Sequence, residues 1–368
     1  MIEINRKKWY TMIKYRNTMR REIIKLSSKV FGIDFGTSVL KIYKKNEGII
    51  FDEKNAVAIC DGAVKAIGNE AFEMYGRTPD NFEVTFPVKY GVVADFANML
   101  ALLNTAFSGL ADKHGKMNGA EFIVAVPSDI SEVECRAFYD LLWSSSAKPK
   151  KDKVRAVHKP VANAIGAGLE VMTANGIMVV DIGAETTEIA VMALGGIVNS
   201  KKVDIGGTRL DETIITSVKK RYNLIIGNKT AELIKKELAC ALPPETVKTL
   251  RVFGRDVMTG LPTEAEVDSA FVYEAVEEHL HSIVDAVKII LEKTPPEIAS
   301  DILDTGIYLT GGSANIKDLD KLFAKETELD IHICDNSANT VVVGLGRILE
   351  NAKYSDLRLT LDKMANGG

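Results

Sequence analysis

Two stretches of this chain, 147 positions apart, repeat one design: an apolar strand ends on Asp-x-Gly and turns straight back into a second apolar strand. The first copy begins at Val30, runs through Ile33-Asp34-Phe35-Gly36-Thr37 and returns as Val39–Tyr43. The second runs along Ile177–Val180 into Asp181-Ile182-Gly183 and returns as Glu188–Met192, after which Gly195-Gly196 turns into Ile197–Val203. One Asp-x-Gly arises easily by chance. Two, each between apolar strands and each in its own half of the chain, predict two similar lobes that point a hairpin at a shared cleft. Elsewhere, Phe122–Val126 reads as a buried strand stopped by Pro127-Ser128, and Ser131 followed by Glu134 has capping-box spacing. Residues 211–222, 229–240 and 271–293 carry helical periodicity, and Gly306–Thr310 reads as a strand running into Gly311-Gly312-Ser313. Strands alternating with helices predict α/β layers.

A chain of 368 residues has room for two such units. With 46% hydrophobic and 26% charged residues it has the composition of a globular protein rather than a disordered one. The net charge of −4 gives no signature of a nucleic-acid partner, but it is unevenly placed: residues 1–30 hold nine basic and two acidic side chains, so a basic arm precedes an acidic body. Within that arm Met12, Tyr15, Met19, Ile23, Leu26 and Val30 advance by three or four, and Trp9 extends the stripe. Such a cationic amphipathic helix suits a membrane surface, with Trp9, Met12, Ile13, Met19 and Ile23 entering the headgroup boundary and Lys8, Arg20 and Lys25 meeting anionic lipid. The plainer readings are a helix docked on its own protein, or a start placed upstream of Met12 or Met19. Four scattered cysteines without a CxxC pair, no run of ~18–20 apolar residues and no signal-like stretch predict an intracellular, cytoplasmic protein.

The two turns define the chemistry expected in the cleft. Backbone N–H groups at Gly36 and Gly183 suit an anion. Thr37 and Ser38 on one side, and Thr186 and Thr187 on the other, offer hydroxyls to phosphate. Asp34 and Asp181 at the strand ends would hold a divalent cation, directly or through water. Lys41 on the return strand either reaches back toward a β-phosphate or faces solvent. Gly311, Gly312, Ser313 and Ala314 would lie against a base or an α-phosphate. Together these predict ATP with Mg2+ bound between lobes.

The chain resembles the MreB family of bacterial actins, within the actin/Hsp70/sugar-kinase superfamily, from about Val30 to Leu349. The resemblance is carried by Phe31-Gly32-Ile33-Asp34-Phe35-Gly36-Thr37, Gly76-Arg77-Thr78-Pro79, Gly91-Val92-Val93-Ala94-Asp95-Phe96 and Ala164-Ile165-Gly166-Ala167-Gly168-Leu169. Thr259-Gly260-Leu261-Pro262 and Glu292-Lys293-Thr294-Pro295-Pro296-Glu297, which have no part in phosphate chemistry, narrow it to this family. It implies a two-lobed actin-like ATPase fold of duplicated RNase H-like domains with four subdomains. Residues 1–29 would be the arm. Residues 30–172 with 342–352 would form lobe I (small subdomain about 61–93), and 173–341 lobe II (small subdomain about 209–272), leaving 353–368 as a tail. It also implies polymerisation with ATP into paired protofilaments on the inner face of the membrane. The partners implied are further copies of the chain, paralogous actins, cell-wall elongation proteins and membrane adaptors. Adenosine contacts would come from 231–239, with Glu232, Lys235 and Glu237 as candidates, although Glu232 and Lys235 also suit a plain surface pair.

The departures gather where the γ-phosphate should sit. The usual Asp-Ile-Gly-Gly-Gly-Thr-Thr turn is here Asp181-Ile182-Gly183-Ala184-Glu185-Thr186-Thr187, and the usual Glu-Glu-Pro is His158-Lys159-Pro160. Lys159 thus replaces the Glu expected to position the attacking water, in a catalytic set otherwise made by Asp34 and Asp181. Val39 replaces an Asn of the first hairpin. Two opposite charge swaps predict either a Lys159–Glu185 pair, or Lys159 on the γ-phosphate with Glu185 turned away, or independent drift. In each case hydrolysis is expected to be slow or absent, leaving at most a weak ATPase. His158 as a substitute base is the weaker idea, and His279 and His281 fall on different helix faces. Many relatives insert an apolar loop before the strand matching Phe122–Val126, whereas Lys116-Met117-Asn118-Gly119-Ala120 offers little apolar surface, so the arm would take over membrane contact. The rival readings are a non-filamentous ATP-binding adaptor on the same fold and, less well supported, a small-molecule kinase.

Overall fold

The computed structural model describes residues 29–361. In the first lobe Val30–Phe35, Val39–Lys44 and Gly48–Lys54 form an antiparallel meander, and Glu121–Val126 and Val154–His158 add in parallel beyond Val30–Phe35. In the second lobe Ile177–Ile182, Thr187–Ala193 and Gly196–Val203 make the meander, and Ile307–Thr310 and Ile331–Ile333 add in parallel. The duplication read from the two turns therefore extends to five matching strands in each lobe, lobe I carrying a sixth at its edge. It extends to register as well, since Asp34 lies opposite Lys41 and Asp181 opposite Glu188. Parallel neighbours need crossover helices, and these cover the sheets. Phe31, Ile33, Leu40 and Phe122 pack with Leu102, Leu103, Phe138 and Leu142 of Phe96–His114 and Glu132–Ser144. Val180, Ile182 and Ile189 share a core with Ile214, Leu280, Val284 and Val287 of Gly207–Tyr222 and Ser269–Glu292.

A third core joins the lobes. Helices Lys159–Ala167 and Thr340–Glu350 meet there through Val161, Ile165, Val341, Leu345 and Ile348. Their backbones touch: a Cβ on Gly166 would lie 1.7 Å from the Thr340 carbonyl oxygen, and one on Gly344 would lie 1.7 Å from that of Ala162. Only glycine permits that approach. Two small sheets flank the cleft. One comprises Val57–Cys60, Ala63–Ile67 and Phe82–Thr85 beside helix Gly68–Met74; the other comprises Leu224–Ile225, Thr249–Asp256 and Pro262–Asp268 beside helix Asn228–Leu238.

The capping box forms as read, with Glu134 N–H donating to Ser131 Oγ (3.3 Å) and Ser131 N–H to Glu134 Oε2 (2.8 Å). The helix expected over 211–222 begins earlier, at Gly207, and no side chain caps it. Its first N–H groups instead donate to the second turn: Gly207 to the Gly183 carbonyl (3.0 Å) and Thr208 to the Ala184 carbonyl (2.7 Å). Beyond residue 352 the chain stays on lobe I, where Leu359–Thr360 pairs with Val154–His158 and Leu361 is fully buried. Of the amphipathic extension expected over residues 1–29, residues 1–28, with Trp9, Met12, Ile13, Met19, Ile23, Lys8, Arg20 and Lys25, lie outside the described residues.

Candidate functional site

Both Asp-x-Gly turns open into one cavity of about 1020 Å3 between the lobes. The first turn is held by Asn55, whose Nδ2 donates to the Gly36 carbonyl and whose N–H donates to that of Ser38, both at 2.9 Å. In the second, Gly183 N–H donates to the Thr186 carbonyl (2.9 Å), and the Gly183 carbonyl accepts from Ser313 Oγ (3.1 Å). Gly311 closes the third wall at φ +85°, where a Cβ would stand 2.3 Å from the Ile182 carbonyl oxygen. The two lobes also meet at the cleft, where Tyr90 N–H donates to Glu185 Oε2 at 2.6 Å; next to it, within lobe I, Gly91 N–H donates to Thr37 Oγ1 at 3.2 Å. At the mouth Asn228 Nδ2 donates to Tyr75 Oη (2.6 Å), Lys229 to the Glu73 carbonyl (2.9 Å), and Lys54 lies 3.7 Å from Glu232.

Charge concentrates at the floor. Asp34 and Asp181 are both buried there, and the Lys159 ammonium stands 3.3 Å from Asp181 Oδ2. Glu188 is buried beside them and accepts the Ser128 N–H at 2.6 Å. Burial pushes the carboxyls of Asp34 and Glu188 above their ordinary range, with Lys159 pulling back on both. Burial alone would lower the Lys159 pKa, but the carboxylates of Asp181, Asp34 and Glu188 outweigh it and hold the ammonium well above its ordinary value. Lys159 is therefore a permanent cation.

Of the residues expected in the site, Asp34, Gly36, Thr37, Ser38, Val39 and Lys41 line this cavity from lobe I, together with Lys159. From lobe II come Asp181, Gly183, Ala184, Glu185 and Thr186, then Glu232, Lys235 and Glu237, then Gly311, Gly312 and Ser313. Several expectations are corrected. Lys159 pairs with Asp181 and not with Glu185, which is drawn across to Tyr90. Ala314 does not line the cavity; it is fully buried in the lobe II core, because the 3-10 turn Gly312–Asn315 points it inward. Thr187 is likewise buried, its hydroxyl spent on the Ile205 carbonyl (2.7 Å). Lys41 is not a solvent lysine: it is 7% exposed and donates to the Ala338 carbonyl. Lys235 pairs with Asp211 (2.7 Å) while Glu232 pairs with Lys236 (2.7 Å), so neither completes the other. His158 lines a separate pocket with the Gly195-Gly196 turn.

Asp34 and Asp181 do not fit a shared divalent cation. The Lys159 ammonium already stands 3.3 Å from Asp181 Oδ2, and its charge acts on Asp34 as well. Sequence reading missed Asp211 and Lys54, which line the cavity from segments without any phosphate motif, and Tyr90, whose amide takes the Glu185 carboxylate; all three are brought there only by tertiary packing.

The sequence profile of the MreB/Mbl protein family matches residues 28–356. The chain belongs to the MreB/Mbl family. It is 38% identical over 322 residues to the cell shape-determining protein Mbl of Bacillus subtilis (strain 168), covering 87% of this chain and 95% of that protein. It is 39% identical over 329 residues to the cell shape-determining protein MreB of Escherichia coli (strain K12), covering 88% and 94%. Its structure resembles that of MreB5 of Spiroplasma citri bound to AMPPNP, with a TM-score of 0.83 and 28% identity over 92% of this chain and 98% of the other. The MamK double helical filament subunit shares the fold at a TM-score of 0.73 and 21% identity, over 88% and 98%. The two-lobed α/β architecture of this MreB/Mbl chain is thus the actin-like fold, and Lys159 and Glu185 stand at the heart of its cleft.

Proposed function

We propose that this chain binds ATP or ADP between its lobes and polymerises into cytoskeletal filaments, slow or unable to hydrolyse ATP, that lie at the inner face of the cell membrane and take part in cell shape. The observation that carries this reading is the single cavity walled by both hairpin turns, the Gly311-Gly312 turn and helix Asn228–Leu238. The MreB5 structures with AMPPNP and with ADP, at 28% and 29% identity, support a nucleotide there. Self-assembly is supported by membership of a family whose relatives are named for determining cell shape. Slow hydrolysis follows from Lys159: a protonated lysine has no lone pair to accept a proton from water, so it neither orients nor deprotonates the nucleophile as a carboxylate does.

Membrane contact is assigned to the basic arm. Glu121 N–H donates to the Lys29 carbonyl (2.8 Å) and the Lys29 ammonium lies 3.5 Å from the Asn118 carbonyl oxygen, so the arm joins the fold beside the 116–120 loop. In that loop Met117 and Ala120 are turned inward and buried. A filament would present many such arms, and avidity would strengthen a weak single contact. The test is high-speed pelleting of the full chain with ATP, with ADP and without nucleotide, the pellets viewed by negative-stain microscopy. Filaments that need ATP are expected; an absence of filaments under every condition would instead favour a monomeric nucleotide-binding adaptor.

A further inference from the structure

The floor of the cleft lacks one cation that its own symmetry calls for. In the first hairpin the buried Asp34 has a lysine, Lys41, opposite it across the strand pair. In the second hairpin the buried Asp181 has a glutamate, Glu188, in the equivalent place. Asp34, Asp181 and Glu188 are 8%, 6% and 5% exposed, so three carboxylates share a space largely withdrawn from water. Lys159 answers them. Its ammonium lies 3.3 Å from Asp181 Oδ2, its charge also acts on the buried Asp34 and Glu188, and its side chain, which lines the cavity, keeps 23% exposure.

That cation is positioned rather than flexible at its base. Lys159 is the first residue of helix Lys159–Ala167, followed at once by Pro160, and the helix is pinned by the backbone contact between Gly166 and Thr340. Mg2+ requires a near-octahedral shell of oxygens at about 2.0–2.1 Å and keeps several waters. An ammonium at this spot repels a dication and occupies the carboxylate oxygen that would serve it. It can itself donate to a phosphate oxygen, as lysines do when they act as point charges in phosphate sites. The lining as a whole does not oppose a metal-free polyphosphate: eight lysines, Lys159, Lys41, Lys54 and Lys235 among them, stand with seven Asp and Glu side chains.

We propose that the Lys159 ammonium is a built-in replacement for the divalent cation, so that this chain binds nucleoside di- and triphosphates without Mg2+. The inference rests on the reading of the cleft as a nucleotide site. The test is calorimetric titration of the full chain with ATP and with ADP, in excess EDTA and in excess MgCl2, for the parent and for Lys159→Glu and Lys159→Arg. Parent affinities within about threefold of each other in the two buffers are expected. Lys159→Glu should lose at least about tenfold in EDTA and regain it in MgCl2, whereas Lys159→Arg, which keeps the charge, should remain indifferent to the metal. Circular dichroism spectra of both variants establish that each has folded. Parent binding that depends on Mg2+ overturns the inference and leaves the nucleotide reading standing. A folded Lys159→Glu chain that is still indifferent to Mg2+ also overturns it, because the cation would then not be Lys159. Binding in neither buffer overturns the nucleotide reading and the inference with it.

Discussion

Replacing Gly344 by alanine should separate the two helices that join the lobes. The added Cβ would lie 1.7 Å from the Ala162 carbonyl oxygen, 2.6 Å from its carbon and 3.0 Å from the Gly166 nitrogen, whereas ordinary contact begins near 3.4 Å. The obstructing atoms are helix backbone, so no side-chain rotation relieves them, and the helices must part by roughly 1.5 Å. A radial gap of even 0.5–1 Å forfeits about a quarter to a half of each dispersion contact, and the residues that lose them are Val161, Ile165, Val341, Leu345 and Ile348. Overpacking together with this loosening places the cost near the top of the usual range, about 3 kcal/mol. In a thermal melt followed by circular dichroism that corresponds to a fall of about 5 °C or more. Gly109→Ala is the matched control: it lies inside helix Phe96–His114 with open space where the Cβ would go, and it should gain about 0.5–1 kcal/mol. A Gly344→Ala chain that melts within about one degree of the parent would refute the claim that these backbones touch.

Three further outcomes are expected. Tyr75→Phe deletes the bond from Asn228 across the cleft mouth; with about 1 kcal/mol lost, release of a fluorescent ATP analogue in stopped flow should quicken about fivefold, and an unchanged rate would mean that the mouth does not gate exchange. Burial raises Glu188 above its ordinary 4.5, so the native state keeps that proton to higher pH than the unfolded chain and the associated stability is present below about 4.5 and lost as pH rises. The melting temperature of the parent minus that of Glu188→Gln should therefore fall as pH rises above about 4.5, and a flat difference would contradict the burial argument. Deleting residues 1–28 should abolish co-sedimentation with anionic liposomes while leaving polymer pelleting intact; retained liposome binding would reject the arm as the membrane contact.

Much of this site was legible because it is written in local chemistry. An apolar strand ending in Asp-x-Gly needs only its own few residues to make a hairpin with exposed N–H groups, so both turns, the duplication and the two aspartates could be read directly. Ser131 and Glu134 cap their helix through bonds that span three residues, and that spacing was visible too. Helix Gly207–Tyr222 was misread at its start because its cap is a turn more than twenty residues earlier, supplied by the Gly183 and Ala184 carbonyls. Thr187 and Ala314 were misassigned because a one-residue step along a strand or a 3-10 turn reverses which way a side chain faces, and only packing selects the phase.

Membership, the doubled α/β architecture and the anomalous Lys159 and Glu185 were thus determined by sequence, since each depends on residue type and order. Which partner each charge takes was decided by tertiary structure alone. Opposite charge by itself suggested that Lys159 and Glu185 pair. In the fold the helix that starts at Lys159 aims its ammonium at Asp181, while the turn carrying Glu185 delivers that carboxylate to the Tyr90 amide of the other lobe. Electrostatic attraction falls with distance and is shaped by burial, and both quantities are set by how the two lobes come together, which no local pattern in the chain records.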